Sequence, residues 1–309
     1  MKRMSILLLL LVNALNLSAL ERTVSIAVND GSLAGTLLIP ETANSQIAVL
    51  IIAGSGPTDR DGNSPTMKNN SLKMLANGLA SRGISSLRYD KRGVGASKSA
   101  AIAEDKLRFD HYINDAESVI TFLEQQKMFE QIVIIGHSEG ALIGMVASRN
   151  ELVSKFVSIA GAGQPIDMII RQQLKAQPAV VLEQSVPILD KLLKGELVEE
   201  VPSFLNSLFR PSVQPYMISW FKYDPQLEIA KLKKPVLIVQ GDNDIQVSVG
   251  NAERLAKANL KAEKKLINKM NHILKPAPLE RQANIATYAQ PELAIHTELI
   301  DVISEFIKN

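Results

Sequence analysis

The stretch QIVIIGHSEGALIGM, residues 131–145, joins a short apolar run directly to a serine that has a glycine two positions to either side. A short, almost wholly apolar run is typical of a strand buried on both faces of a parallel sheet. Helix-forming residues follow the second glycine. A strand that turns sharply into a helix needs room at the turn, and Gly136 and Gly140 provide it because they have no side chain. We therefore expect Ser138 to be presented at the carboxyl end of a buried strand.

Similar apolar runs recur along the chain, and helical patterns separate them. The runs cover residues 47–54, 84–90, 155–161 and 235–241, and the clearest helical stripes cover residues 71–82 and 110–127. This alternation predicts a mostly parallel, doubly wound α/β sheet with helices on both faces. Before it, two alternating segments flank Asp30-Gly31, which predicts an antiparallel hairpin at one edge of the sheet.

The alternation is interrupted over residues 164–232. Eight of the 14 prolines lie from Pro165 to Pro235, and prolines divide helices into short pieces. We interpret this segment as a helical cap inserted between two parts of an α/β core, residues 20–163 and 233–309. Six of the 14 aromatic residues lie within residues 204–223. Most of them are expected to hold the cap helices together, although Met217, Trp220 and Phe221 can also wall an apolar acyl pocket.

Residues 1–19 have the pattern of a secretory signal peptide. Lys2 and Arg3 precede a short apolar run, and small residues follow it at positions 18 and 19. The run is too short to span a bilayer, so cleavage is favoured over an uncleaved anchor. The pattern predicts an exported protein, periplasmic or secreted, with no stable membrane span once the peptide is removed.

Composition excludes several classes of function. Lys plus Arg number 34 and Asp plus Glu 32, which gives no electrostatic reason to expect a nucleic-acid partner. There is no cysteine, so disulfides, thiol catalysis and thiolate metal sites are excluded. The histidines are scattered, which argues against a metal site, and the phosphate-binding glycine motifs are absent. We expect no cofactor.

A serine hydroxyl is a weak nucleophile at neutral pH and needs a base. The four histidines are His111, His137, His272 and His296. His137 is expected to point away into the sheet, His111 begins a helix upstream, and His296 lies on a C-terminal helical run. His272 lies in a loop downstream of the serine, which agrees with the order serine, acid, histidine of nucleophile-elbow folds. We therefore choose His272 as the base.

The acid that orients the imidazole has two candidates, Asp242 and Asp244, which follow a buried strand in VLIVQGDNDIQVSV. Asp244 is chosen because it extends further from the strand end, and Asp242 is expected to cap the turn. For the oxyanion we expect the backbone N–H groups of Glu139, at the helix start, and of Ser55, in the glycine-containing loop after residues 47–54.

These motifs resemble the α/β-hydrolase superfamily, and more narrowly the exported bacterial members of its serine aminopeptidase-like and lysophospholipase-like branch. The resemblance rests on residues 54–62, 90–97, 136–140, 241–244 and 271–272. It implies Ser138, Asp244 and His272 as a catalytic triad and hydrolysis of carboxylic esters as the activity. The family often has His-Gly before its oxyanion loop, where this chain has Ala53-Gly54.

The expected function is therefore a serine esterase that acts on small-molecule esters of small to medium acyl groups. One alternative is an aminopeptidase or proline iminopeptidase, which needs an acidic group in the cap to hold the substrate amine. Glu196, Glu199 and Glu200 are available there, although a solvated helix face is the favoured explanation for them. A second alternative is a hydrolase-fold binding protein without turnover.

Overall fold

The apolar runs form strands of one sheet in a computed structural model that describes residues 19–41 and 46–309. The described residues hold eight strands. In chain order these are β1 (Ala19–Val28), β2 (Gly31–Pro40), β3 (Ile47–Ile52), β4 (Ser85–Tyr89), β5 (Gln131–His137), β6 (Val153–Ile159), β7 (Val236–Gly241) and β8 (Glu263–Ile267).

The strands lie side by side in the order β1-β2-β4-β3-β5-β6-β7-β8. β1 pairs antiparallel with β2, and β2 antiparallel with β4, whereas all pairs from β4 to β8 are parallel. The predicted fold class is thus confirmed: a mostly parallel sheet with an antiparallel hairpin at its N-terminal edge. The residues of β3, β4 and β7 are all buried, as expected where helices cover both faces of a sheet.

Helices cover both faces of the sheet. The helices of the described residues are α1 (Ser71–Ala80), α2 (Phe109–Gln125), α3 (Glu139–Ala147), α4 (Ile166–Leu174), α5 (Ala179–Leu193), α6 (Asn206–Phe209), α7 (Gln214–Trp220), α8 (Pro225–Ala230), α9 (Val249–Ala258), α10 (Arg281–Ala286) and α11 (Thr297–Lys308). Apolar residues of α2, α3 and α9 form one core with the sheet, and those of α1 and α11 form a second core on the other face.

The topology places a crevice beside β3. The chain leaves β3 to form β4 on one side and then crosses to form β5 on the other side. In open parallel sheets, such a reversal of strand order separates the loops at the carboxyl ends of the two central strands, and ligands bind there. The loop after β3 contains Ser55, and the turn after β5 contains Ser138, so both lie at this crevice.

The segment predicted as a cap, residues 164–232, contains the helices from α4 to α8. Most of its buried apolar side chains pack with one another in a cluster separate from the two sheet cores, including Ile170, Leu189, Phe209 and Met217. The boundaries proposed for the cap and the core stay a prediction. The predicted signal peptide lies outside the described residues except for Ala19, which begins β1, and export also stays a prediction.

Candidate active site

Ser138 occupies the turn between β5 and α3 in a conformation that few residues other than glycine adopt. Its φ is 56° and its ψ is −119°, and such backbone strain persists only where the surrounding structure enforces it. Here the Ser138 N–H donates to the carbonyl of Ile159 in β6 at 2.9 Å. Ser138 is partly exposed, although both of its neighbours are buried. The turn therefore brings the serine hydroxyl to the surface of the sheet edge.

The two flanking glycines are required by close backbone contacts. A β-carbon at Gly136 would lie 2.2 Å from the carbonyl oxygen of Gly140, at the start of α3. A β-carbon at Gly140 would lie 2.4 Å from the carbonyl oxygen of Ile52, at the end of β3. No side chain fits at either distance, so the glycines allow the helix to pack against the strands immediately behind Ser138.

His272 and Asp244 lie in line with the serine. The Ser138 Oγ is 3.1 Å from Nε2 of His272, and Nδ1 of the same ring is 2.8 Å from Oδ2 of Asp244. The His272 Nδ1–H donates to the carboxylate, which leaves Nε2 free to accept the serine proton. The three residues chosen from the sequence are thus within hydrogen-bonding distance of one another, in the geometry of an acyl-transfer triad.

The loop after β7 fixes the Asp244 carboxylate. Its Oδ1 accepts the backbone N–H groups of Gln246 and Val247 at 2.8 and 2.9 Å. Burial alone would raise the pKa of Asp244, but attraction to the His272 ring and these hydrogen bonds outweigh it and hold the pKa below its ordinary value. Asp242 instead accepts the Lys269 N–H at 2.6 Å, so it caps the turn.

The sequence predicted that His137 points away from the site, into the sheet, and this prediction was wrong. Its Nε2–H donates to the carbonyl oxygen of His272 at 2.8 Å, and the two ring centres are 5.0 Å apart. Burial, followed by repulsion from His272, lowers the pKa of His137 to about 4. The neutral ring thus anchors the base loop to the elbow. The only sequence signal for this contact is its position immediately before the serine.

The two remaining histidines are not part of the site. His111 lies in the first turn of α2, where its Nδ1 accepts the Arg108 N–H at 3.0 Å. His296 immediately precedes α11, and its N–H donates to the Leu274 carbonyl at 2.7 Å. Both contacts belong to the termini of helices, so these residues have local structural roles.

Both predicted oxyanion donors lie in segments next to Ser138: one at the start of α3 and the other in the loop after β3. Glu139 is the first residue of α3, so its N–H has no acceptor within the helix. Ser55 lines the same cavity as Ser138, and its N–H donates to no described residue. The chain before Ser55 passes very close to the serine, because a β-carbon at Gly54 would lie 3.2 Å from the Ser138 Cβ. The roles of the two N–H groups stay predictions.

Two adjoining cavities open at the triad. The smaller, of about 150 Å³, is lined by Ser138, His272 and the loop that contains Ser55. The larger, of about 540 Å³, lies between α4 and α10 and reaches Asp244. Three residues line both cavities: Met67, Gln246 and Tyr288. The larger cavity has a mixed lining, with Gln172, Gln173, Gln177 and Arg281 among its polar residues.

The cap residues chosen as an acyl-pocket wall lie elsewhere, and that expectation needs correction. Met217, Trp220 and Phe221 are absent from the linings of both cavities in the described part of the chain. Met217 and Phe221 pack inside the cap cluster. Trp220 stacks on Phe109 of α2, with ring centres 5.5 Å apart and an angle of 6° between the planes. Aromatic packing between the cap and the core therefore explains these positions.

The charged groups of the loop after β3 and of the cap are either paired or remote from the cavities. Arg60 donates to Asp90 at 2.8 Å, and Asp59 accepts backbone N–H groups within its own turn. Three cap carboxylates are exposed and line neither cavity: Glu196, Glu199 and Glu200. The larger cavity therefore contains Asp244 as its one carboxylate among the described residues.

Over residues 19–41 and 46–309, no group of three or more His, Asp or Glu side chains is arranged to hold a metal ion. In the same described ranges, no helix combines the length and the apolar character needed to cross a membrane.

Sequence comparison identifies related proteins. The family model for serine aminopeptidases of family S33 matches residues 68–203, a range that includes Ser138 but ends before Asp244 and His272. Esterase EstD of Thermotoga maritima is 29% identical over 226 residues, which is 72% of this chain and 52% of that protein. The chain thus spans about half the length of this curated relative.

Solved structures share the fold over nearly the whole chain. Est1E from Butyrivibrio proteoclasticus is 16% identical, covers 93% of this chain and 99% of its own, and has a TM-score of 0.62. The esterase Pf2001 of Pyrococcus furiosus is 19% identical, covers 94% and 91%, and has a TM-score of 0.59. With its sheet order, its strained serine turn and these structural relatives, the chain has the α/β-hydrolase fold.

Proposed function

We propose that this protein is a serine hydrolase that cleaves carboxylic esters of small to medium acyl groups. The observation that carries the proposal is the continuous hydrogen-bonded line from Ser138 through His272 to Asp244 beside a cavity. The esterase named among its curated relatives and the esterases among its structural relatives support the same class of reaction.

The proposed reaction has two acyl-transfer steps. Ser138 Oγ attacks the ester carbonyl carbon while His272 Nε2 takes the serine proton. The resulting oxyanion accepts hydrogen bonds from the Ser55 and Glu139 N–H groups, and His272 then protonates the departing alcohol. A water molecule, deprotonated by His272, attacks the acyl carbon of the acyl-enzyme. The bond to Ser138 Oγ then breaks, His272 returns the proton to that oxygen, and the carboxylic acid leaves. The lowered pKa of Asp244 keeps its carboxylate ionised, so that it stabilises the imidazolium in both steps.

The cavity sizes support the choice of acyl group. The cavity of about 150 Å³ beside Ser138 is smaller than pockets that enclose drug-sized ligands, which are ~300–1,000 Å³. A short acyl group fits there, and the remainder of the ester extends past Met67 into the larger cavity. The amide groups of Gln172 and Gln177 in that lining suit an ester whose larger part carries polar groups.

Ester hydrolysis is favoured over aminopeptidase activity by the charges around the cavities. A substrate with a free amine needs an unpaired carboxylate to bind its ammonium group. Among the described residues that line the two cavities, the one carboxylate is Asp244, and it is engaged by His272. The exposed cap glutamates do not approach this region.

The test compares Ser138→Ala with Ser118→Ala on p-nitrophenyl acetate, butyrate and octanoate. Ser118 is a suitable control because its hydroxyl donates to Asn114 within its own helix. We expect Ser138→Ala to lower kcat by at least ~10⁴-fold and to abolish covalent labelling by a fluorophosphonate. Full activity of Ser138→Ala, or a wild-type protein that neither labels nor turns over, would contradict the proposal. The second of these outcomes would favour a binding protein.

A further inference from the structure

Lys91 places a buried ammonium group directly behind the proposed active site. It follows β4 by two residues, and its side chain is 1% exposed. Its Nζ donates to the carbonyl oxygen of Gly54 at 2.5 Å and to Oε2 of Glu139 at 3.2 Å. Removing such a charge from water is unfavourable by several kcal/mol unless its surroundings compensate. A lysine in this position therefore needs an explanation beyond the packing of its alkyl chain.

The Gly54 carbonyl belongs to the same peptide group as the Ser55 N–H. The described residues contain no cis peptide bond, and in a planar trans peptide the C=O and N–H bonds point in opposite directions. A contact that fixes the direction of the Gly54 carbonyl consequently fixes the direction of the Ser55 N–H. The carbonyl is directed at Lys91, and Ser55 lines the cavity that contains Ser138.

The second contact of Lys91 is with the other residue of the proposed oxyanion hole. Glu139 supplies its backbone N–H at the start of α3, and its side-chain carboxylate lies beside Lys91. The remaining carboxylate oxygen accepts the hydroxyl of Tyr216 at 2.5 Å. The ammonium also lies 5.2 Å from the centre of the Tyr112 ring. Lys91 thus ties the loop after β3 to the start of α3, the two segments that carry the donors.

We infer that Lys91 is a positioning residue for the oxyanion hole, which it organises by holding the Gly54–Ser55 peptide against the start of α3. The inference rests on the proposed esterase function. Lys91 touches no reacting atom and acts through the peptide alone. A charged donor on the carbonyl also polarises that peptide, because hydrogen bonds in series strengthen one another, and so makes the Ser55 N–H a better donor to an oxyanion.

A purely structural role for the Lys91–Glu139 ion pair would have a different consequence. If Lys91 only neutralised Glu139, its removal would lower the stability of the protein but leave the turnover of each folded molecule unchanged. If it positions the Ser55 N–H, turnover falls even in molecules that are fully folded. The transition state loses stabilisation more than the bound substrate does, so the loss appears in kcat rather than in KM.

The experiment measures kcat and KM of Lys91→Met per active site, with sites counted by fluorophosphonate labelling carried to completion. The matched control is Arg92→Met. Arg92 is the adjacent residue, is buried, and pairs with the buried Asp115 at 2.8 Å, but it contacts neither Gly54 nor Glu139. Both variants leave a buried carboxylate unpaired, so both are expected to lose stability. Loss of an oxyanion donor lowers turnover by ~10²–10³-fold. We expect Lys91→Met to lower kcat by ~10- to 100-fold, with KM within about threefold.

A double variant, Lys91→Met with Glu139→Gln, separates positioning from folding. It removes both charges of the Lys91–Glu139 pair, and we expect it to unfold at higher denaturant concentration than Lys91→Met while its kcat stays low. The inference is overturned if kcat per titrated site of Lys91→Met equals that of wild type, if Arg92→Met loses as much turnover, or if the double variant recovers wild-type kcat. A wild-type protein that neither labels nor hydrolyses esters would instead overturn the esterase proposal, and this inference with it.

Discussion

The carboxyl edge of the sheet and the helical segment that follows β6 use their side chains in opposite ways. At the sheet edge, polar groups such as Ser138 and His272 face a cavity, and each is held by hydrogen bonds to a neighbouring loop. In the helical segment, Phe209 and Tyr216 are buried, and Trp220 stacks on Phe109 of α2 in the core. The difference teaches that aromatic richness near an active site does not by itself define a substrate pocket.

Substitution of the two loop aspartates gives the largest expected difference within the sheet edge. Asp244→Asn keeps the shape of the side chain but removes the charge that orients His272, and we expect kcat to fall by ~10⁴-fold. Asp242→Asn keeps a side-chain oxygen that can accept the Lys269 N–H, so it should lower kcat by less than ~10-fold. Steady-state hydrolysis of p-nitrophenyl acetate compares the two. A greater loss for Asp242→Asn would mean that the acid has been assigned to the wrong residue.

Substitution of Trp220 tests the role assigned to the cap aromatics. Trp220→Ala removes a ring packed between the cap and α2, and we expect the free energy of unfolding to fall by ~3 kcal/mol, from denaturant titration. The relative kcat/KM for acetate, butyrate and octanoate esters should not change. The control is Met67→Ala, at a partly exposed residue that lines both cavities. It should leave stability nearly unchanged and shift those ratios by ~10-fold. If Trp220→Ala shifts the acyl preference and Met67→Ala does not, the cap aromatics line the acyl pocket after all.

The smallest expected effect concerns His137, which joins the elbow to the base loop. Its pKa is lowered from 6.5 to about 4 in the folded protein. Between pH 4 and pH 6.5, His137 therefore takes up a proton when the protein unfolds. The stability associated with a neutral His137 is fully present above pH 6.5 and is lost as the pH falls towards 4, by at most ~1.4 kcal/mol per pH unit.

His137→Gln should remove this dependence, because its amide can donate to the His272 carbonyl but does not titrate. The measurement is the difference in unfolding free energy between wild type and variant, obtained by urea denaturation at several values from pH 7 to pH 4.5. The wild type should lose stability relative to the variant as the pH falls. A difference that stays constant over this range would show that His137 is not buried as a neutral ring.

The sequence predicted the sheet edge well because its features are local. Gly136 and Gly140 indicate a tight turn, because neighbouring backbone carbonyl groups lie too close to these positions for any β-carbon to fit. The loops after buried strands of a parallel sheet must meet at one edge, so an aspartate after β7 and a histidine after β8 could be brought to the serine by topology alone. The sequence also favoured Asp244 over Asp242, and in the structure Asp244 is the aspartate that contacts His272.

The direction of a buried side chain could not be read in the same way. His137 was expected to turn into the sheet, yet it binds a carbonyl 135 positions away along the chain. Lys91 lies in the motif DKRG, which shows a charged residue after a strand but not the carbonyl that it meets. In each case the partner comes from a distant segment, and no local pattern records which atoms face each other across the core.

The amino-acid sequence by itself determined the order of strands and helices, the strained turn at Ser138 and the types of residue available to assist it, because periodicity and backbone sterics act over a few neighbouring residues. Tertiary structure alone decided that Trp220 packs on α2 rather than lining a cavity, that glutamines line the larger cavity, and that Lys91 donates to the Gly54 carbonyl. The physical reason is that burial selects side chains for their fit to distant segments, and many arrangements of the same apolar pattern satisfy the local rules equally well.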